Sequence, residues 1–136
     1  MLPHLHAEPS TEAQWFEALI SLARYLRTPD GCPWDREQTT ADFAKFAVEE
    51  SSEFRDACAG SNPEAIREEF GDALFVLLAA AAAAEEAGLF TLKDALAGAH
   101  EKMIRRHEHV FGEVKAVTAE EATEAWNKVK AREKGP

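Results

Sequence analysis

The sequence predicts an all-α protein, a bundle of four to five helices. Seven glycines and six prolines among 136 residues leave few turns for a many-stranded β protein. Alanine is concentrated in the middle of the chain, and apolar residues recur at helical spacing in several segments. An apolar content of 46% and a charged content of 29% are typical of a globular chain and not of a disordered one.

The first helix is predicted to begin after Ser10 or Thr11 and to end before the turn-rich segment 28–33. Thr11 and Gln14 have the spacing of a capping box, in which each side chain accepts a hydrogen bond from the other residue's backbone. Residues 1–10 carry two prolines and show no helical periodicity. They are expected to form a flexible tail, followed by a single helical domain over residues 11–134.

The second and third helices are predicted to form a hairpin. The second starts at residue 39 or 40 and stops at Gly60. Asn62 is a good cap and Pro63 suits the first position of a helix, so the third helix should start there. It should continue to about residue 87, where Gly88 provides the C-terminal stop.

Two further helices are predicted in the last third of the chain. Thr91 opens the fourth, which ends near His107. The segment 110–117 is short, rich in β-branched residues and contains a glycine, so an extended connector is expected. A second capping box at Thr118 opens the last helix, which should continue to about Glu133.

The segment Ala73–Ala84 is apolar on all sides, as expected for a helix that is covered on every face. Its alanines either fill a crowded core or allow another helix to approach closely. Four or five helices can only just cover such a segment, which favours a dimer. The segment is shorter than the roughly 18 apolar residues that a membrane span needs, so no membrane association is expected.

The charge balance excludes some classes of partner. Fifteen basic residues stand against 25 acidic ones, a net charge of −10. Nucleic acid and lipid surfaces both require a basic patch, so neither is expected as a partner. Two cysteines are too few for a disulfide framework, and the first residues lack the pattern of a signal peptide. A cytoplasmic location is the expectation.

Four carboxylates on the predicted hairpin are the main candidate site residues. Glu50 and Glu53 are three residues apart, as are Glu69 and Asp72, so each pair shares one helix face. Both pairs lie at equal distances from residue 61, which places them at the same level if the turn is centred there. Four unpaired carboxylates would repel one another, and a hard divalent cation such as Mg²⁺ would relieve that repulsion. The alternative is a solvated acidic face.

A basic cluster follows in the fourth helix. Lys102 and Arg106 are four residues apart and could form a phosphate clamp, although cations near a helix C-terminus also complement the helix dipole. Trp126 and Lys130 repeat this spacing in the last helix, and an aromatic ring beside a cation suits a nucleobase and a phosphate. No glutamate is followed by histidine three residues later, which argues against a di-iron carboxylate protein.

Several motifs in order resemble the MazG family of nucleoside triphosphate pyrophosphohydrolases. They are Leu26 to Thr39 (LRTPDGCPWDREQT), Glu49-Glu50-x-x-Glu53, Glu68-Glu69-Phe-Gly-Asp72, Glu101 to Gly112 (EKMIRRHEHVFG) and Trp126-x-x-x-Lys130. The resemblance covers roughly residues 15–134. The sequence departs from the family's pattern in the stretch ADFAKFAV, before the first acidic motif. It departs again at Glu108, which stands between two histidines where the family commonly has proline.

The resemblance implies an all-α fold that works as a homodimer or homotetramer. It implies hydrolysis of a nucleoside triphosphate, canonical or non-canonical, ribo or deoxy, to the monophosphate and pyrophosphate, in a house-cleaning role. Mg²⁺, or Mn²⁺ in its place, would be held by matched metal ligands, and other matched residues would contact the substrate. The ligands are Glu50, Glu53, Glu69 and Asp72, and the substrate contacts are Lys102, Arg106, Trp126, Lys130 and, in the opening signature, Trp34.

Glu50 and Glu53 are the candidates for the general base, because a carboxylate oxygen not bound to metal could face the attacking water. Spacing does not distinguish between them. Two alternatives stay open at this point. One is a non-catalytic helical module that binds nucleotide or another partner, and the other is a narrow-specificity relative such as a phosphoribosyl-ATP pyrophosphohydrolase.

Overall fold

A computed structural model describes residues 1–135, and every regular element in that range is a helix, which confirms the all-α prediction. The chain forms two compact units, Met1–Leu92 and a second that begins at Lys93. The helices are α1 (Glu12–Tyr25), α2 (Pro33–Glu37), α3 (Thr40–Ala59), α4 (Pro63–Glu86), α5 (Leu92–Arg106), α6 (Glu108–Phe111) and α7 (Ala119–Lys134). Within residues 1–135, none of these helices has both the length and the apolar character that crossing a membrane requires.

The predicted start signals account for where the long helices begin. Thr11 and Gln14 form the predicted capping box of α1, and the Asn62 side chain accepts from the backbone N–H of Glu64 at the start of α4. Thr118 accepts from the backbone N–H of Glu121 at the start of α7, but the Glu121 carboxylate accepts from the backbone of Val117 and not of Thr118, so the predicted second capping box forms only in part. These caps satisfy backbone donors that a helix leaves without partners, which fixes the first turn of each helix.

Gly88 ends α4 in the predicted way. Its φ of 72° lies in the left-handed region, which an L side chain rarely adopts. The backbone N–H of Leu89 donates to the carbonyl of Ala84 at 2.9 Å, and that of Gly88 donates to Glu85 at 3.1 Å. This pair of bonds is the Schellman motif, which satisfies the last carbonyls of the helix and releases the chain into the next turn.

Two short helices were not predicted, so the structure has seven helices within residues 1–135 where four to five were expected. α2 occupies the end of the turn-rich loop, with Pro33 in its first turn. α6 includes the first two residues of the predicted extended connector, after a break at His107 where φ is −104° and ψ is 40°. Helices of one turn carry too few residues for a periodic signal, so the sequence pattern could not reveal them.

α4 is the central helix of the first unit. On one side Leu78 and Ala82 pack with Ala23 of α1, and on the other Ala79 and Ala83 pack with Phe43 of α3. Small side chains on α4 allow both neighbours to approach closely. The alanine-rich segment is therefore core filler between two helices.

Within residues 1–135 the single chain does not cover this segment on every side, because Leu77 is 55% exposed. α1 and α3 cover two faces of α4 and leave the Leu77 face open to solvent. The dimer that the apolar segment favours stays a prediction.

Candidate active site

The α3–α4 hairpin brings three of the four predicted carboxylates together. One oxygen from each of Glu50, Glu69 and Asp72 lies within 4.8 Å of the others. Glu50 is on α3 and the other two are on α4, so the group depends on the antiparallel packing of these helices. The equal spacing of the two acidic pairs from residue 61 therefore predicted their common level correctly.

Glu53 lies beside this group without belonging to it. Its carboxyl is close enough to affect the pKa of both Glu50 and Glu69. The Glu53 side chain is more exposed than those of its two neighbours. It therefore occupies the solvent side of the cluster.

Two oxygens of the cluster are shielded from solvent and lack partners. Within residues 1–135, Oε2 of Glu50 and Oε2 of Glu69 accept no hydrogen bond. Burial raises the pKa of the Glu50 carboxyl, and the neighbouring carboxyls of Glu53, Asp72 and Glu69 raise it further. The pKa of Glu69 is raised for the same reasons, with burial again the largest cause. The site therefore favours neutralisation by protons or by a bound cation.

The donor set fits a hard divalent cation. Mg²⁺ takes oxygen ligands at 2.0–2.1 Å, so opposite ligand oxygens are about 4 Å apart. The three carboxylate oxygens lie within 4.8 Å of one another, which is near enough for them to share one ion. No sulfur or imidazole group belongs to the cluster, which favours Mg²⁺ or Mn²⁺ over zinc.

An aromatic cluster adjoins the carboxylates along α3. Trp34 of α2 stacks on Phe46 with ring centroids 5.7 Å apart and meets Phe43 edge to face at 6.2 Å. Phe46 is one helical turn before Glu50 on the same face of α3. Trp34 is 51% exposed, so part of its ring is available for contact with a ligand near the acidic group.

Arg27 holds the short helix that carries Trp34, and sequence reasoning assigned it no role. Its side chain is only 9% exposed. Its Nη1 donates to the carbonyl of Asp35 at 2.6 Å, and its Nε donates to Glu86 at 2.8 Å. From the other side, Nη1 of Arg36 donates to the carbonyl of Thr28 at 2.7 Å. These bonds connect α2 to the end of α1 and to α4.

The second unit holds the predicted substrate-binding residues of α5 and α7. Lys102 and Lys130 are exposed. The guanidinium carbon of Arg106 lies 5.1 Å from the centroid of the Trp126 ring, a cation–π contact, and His107 meets the same ring edge to face at 5.4 Å. Arg106 and Trp126 are thus part of one packed group.

Glu133 completes this group, and the sequence analysis assigned it no role. Its Oε1 accepts from Nε and Nη2 of Arg106 at 3.1 and 2.8 Å, and its Oε2 accepts from Nε of Arg105 at 2.5 Å. The two guanidinium groups lower the pKa of Glu133 to about 2. The signal that could have identified it is its position on α7, seven residues after Trp126 and therefore on the same helix face.

A groove of the second unit lies elsewhere on α7. It has a volume of about 740 Å³, and Glu121, Lys128 and Arg132 are among the residues that line it. These residues lie on the side of α7 opposite to Trp126, Lys130 and Glu133. None of the predicted substrate-binding residues lines this groove.

The chain matches known proteins over most of its length. The MazG nucleotide pyrophosphohydrolase domain matches residues 38–111. The nucleoside triphosphate pyrophosphohydrolase/pyrophosphatase MazG of Thermotoga maritima is 39% identical over 120 residues, which are 88% of this chain and 46% of that protein. The nucleoside triphosphate pyrophosphohydrolase of Escherichia coli K12 is 38% identical over 119 residues, 87% of this chain and 45% of that protein. The chain thus spans about half the length of these curated relatives.

A solved structure agrees with the fold. The crystal structure of a mazG-related protein from Thermotoga maritima superposes with a TM-score of 0.71 at 28% identity, over 85% of this chain and 98% of that one. The domain match includes the carboxylates of α3 and α4 as well as Lys102 and Arg106. By sequence and by fold, the chain belongs to the MazG nucleotide pyrophosphohydrolase family.

Proposed function

We propose that this chain hydrolyses a nucleoside triphosphate to the nucleoside monophosphate and pyrophosphate, with Mg²⁺ bound by Glu50, Glu69 and Asp72. One observation carries the proposal: three carboxylate oxygens lie within 4.8 Å of one another, and two carboxylates of this group have shielded oxygens without partners. The names of the relatives from Thermotoga maritima and Escherichia coli support the same reaction class. Mn²⁺ is expected to substitute for Mg²⁺.

A divalent ion held by these carboxylates would supply positive charge for phosphate oxygens and would lower the pKa of a water molecule. Glu53 is the candidate base, because its carboxylate lies next to Glu50 and Glu69 but outside the three-residue group. It would accept the proton of the water that attacks the α-phosphorus. Glu50 is the second candidate for this role.

Three cationic residues of α5 and α7 are the proposed phosphate ligands. Lys102, Arg106 and Lys130 would bind its phosphate oxygens and stabilise the negative charge of the departing pyrophosphate. Trp126 would contact the nucleotide through its ring face. In the first unit, the exposed part of Trp34 would contact the base.

We further propose that residues 11–134 form a single domain that acts as a homodimer or homotetramer. The proposed role is cytoplasmic house-cleaning, with no nucleic-acid or membrane partner. The proposed substrates are canonical or modified nucleotides, with ribose or deoxyribose. A narrower substrate, such as phosphoribosyl-ATP, would keep the same metal and phosphate chemistry.

The direct test is product analysis with a panel of ribo-, deoxy- and modified triphosphates and phosphoribosyl-ATP, each with Mg²⁺ and with EDTA. The expected result is release of pyrophosphate with an equal amount of monophosphate in Mg²⁺ only. Release of orthophosphate and diphosphate would contradict the proposed site of attack. Absence of turnover across the panel, from folded protein that binds Mg²⁺, would favour a nucleotide-binding module without catalysis.

A further inference from the structure

Glu133 joins two arginines that follow each other at the end of α5. Each of its carboxylate oxygens accepts from a different arginine, and Arg106 gives Glu133 two hydrogen bonds. The side chain of Glu133 is 19% exposed and that of Arg106 is 13% exposed, while that of Arg105 is 45% exposed. Arg106 is therefore the more enclosed member of the cluster.

Arg106 is restrained on two sides. Its guanidinium lies over the Trp126 ring, and its Nε and Nη2 donate to Glu133. The Nη1 amino group takes no part in these bonds. A free arginine side chain loses conformational entropy when a ligand orders it, and a side chain that is already held loses less.

We propose that Glu133 is a positioning residue that holds the Arg106 guanidinium against Trp126 and so presents its Nη1 group to a substrate phosphate. The inference rests on the proposed function, since it assigns Arg106 to the triphosphate. It adds a residue that contacts no substrate itself and acts through Arg106. Glu133 is ionised at any ordinary assay pH, because the two arginines lower its pKa to about 2.

The charge of Glu133 makes the inference testable, because positioning and simple electrostatics predict opposite changes in phosphate affinity. Glu133→Gln removes one negative charge beside Arg105 and Arg106, so electrostatics alone would strengthen the binding of a phosphate. If the Glu133 carboxylate instead competed with the phosphate for Arg106, neutralising it would also strengthen phosphate binding. Loss of positioning has the opposite effect, because Arg106 must then be ordered by the ligand.

Glu108→Gln is the matched control. Glu108 pairs with Arg132 of α7 at 2.6 Å, so this substitution also removes one negative charge and one ion pair in the same unit. We expect Glu133→Gln to raise KM about tenfold with kcat changed less than about threefold, and Glu108→Gln to change neither by more than about twofold. A lower KM in Glu133→Gln, or equal effects in the two variants, would overturn the inference.

A double-mutant cycle separates positioning from general support of the fold. In an Arg106→Met background, Glu133→Gln should cost nothing further in kcat/KM, because the group that Glu133 positions is gone. Additive effects would mean that Glu133 acts independently of Arg106 and would contradict the inference. Glu133→Asp, which keeps the carboxylate, should retain more affinity than Glu133→Gln, and equal losses in the two variants would count against positioning.

Binding of inorganic tripolyphosphate, measured by calorimetry, distinguishes failure of the inference from failure of the proposed function. Affinity that falls in Glu133→Gln and Arg106→Met but not in Glu108→Gln supports positioning even if no triphosphate is hydrolysed. Affinity that is the same in Arg106→Met as in the wild type overturns the inference even if the protein is an active pyrophosphohydrolase.

Discussion

The acidic cluster of the first unit and the basic cluster of the second differ in how their charges are balanced. Glu50 and Glu69 face other carboxylates and keep shielded oxygens without partners within residues 1–135. Arg105 and Arg106 instead share Glu133, which accepts hydrogen bonds from both. The acidic cluster therefore favours neutralisation by protons or by a bound cation, while the basic cluster is ordered by an acid of the chain itself.

The largest expected effect comes from removing an acidic ligand. Substitution of a residue that merely supports a metal ligand typically costs 10–100-fold, so Asp72→Asn should lower kcat/KM by more than about 100-fold. The far-ultraviolet circular dichroism spectrum should stay helical, because Asp72 is exposed. Glu49→Gln is the control, since Glu49 is an exposed acid next to Glu50 that does not belong to the group. Similar losses in both variants would mean that activity depends on the negative charge of this region in general and not on the three-carboxylate group.

Metal addition should stabilise the first unit. A ligand that binds only the folded state at about 100 times its Kd adds about 2.7 kcal/mol to the free energy of unfolding. Mg²⁺ should therefore raise the Tm of the wild type in a thermal scan.

Glu69→Gln tests whether the gain in Tm comes from metal bound at the acidic cluster, because it removes one of the carboxylates that repel one another. The variant should have a higher Tm than the wild type in EDTA and should lose most of the gain from Mg²⁺. A variant that is less stable in EDTA but keeps the full gain would show that Glu69 has a structural role only.

Arg27 should stabilise the first unit, because its hydrogen-bond partners lie within that unit. Arg27→Met removes the charged hydrogen bond to the carbonyl of Asp35 and the bond to Glu86, so we expect a loss of about 2 kcal/mol in urea unfolding. Arg24→Met is the control. Its pair with Glu85 involves a side chain that is 52% exposed, and its loss should cost less than about 1 kcal/mol. Equal costs would contradict the anchoring role of Arg27.

The smallest effect concerns the pH dependence of the basic cluster. The pKa of Glu133 is about 2 in the folded chain and near 4.5 ordinarily, so its contribution to stability is complete above about pH 4.5. It is lost as the pH falls from there towards 2. The Tm difference between the wild type and Glu133→Gln should therefore be largest near neutral pH and shrink over that range. A difference that is constant from pH 7 to pH 3 would show that the Glu133 charge does not stabilise this cluster.

Local patterns in the sequence predicted the elements that depend on neighbouring residues. Capping residues such as Thr11 and Asn62 mark helix starts because their bonds join residues two or three positions apart. Glu50 and Asp72 were predicted to lie at the same level of the hairpin because they are equally far in sequence from its turn. Both are properties of short segments, so a single sequence contains them.

Contacts between distant segments could not be predicted in this way. Glu133 is 27 residues from Arg106, and Arg27 is 59 residues from Glu86. Such pairs depend on how helices pack, and an acid and a base at those distances carry no periodic signal. The short helices α2 and α6 were missed for the related reason that one turn is too short to show a period.

Locating the bound metal ion in a crystal would test whether the acidic cluster is the metal site. Crystals soaked with Mn²⁺ and a non-hydrolysable triphosphate would give an anomalous difference map in which the ion is seen independently of any assay. We expect a peak coordinated by Glu50, Glu69 and Asp72. A peak bound elsewhere, with these three carboxylates protonated or solvated, would contradict it.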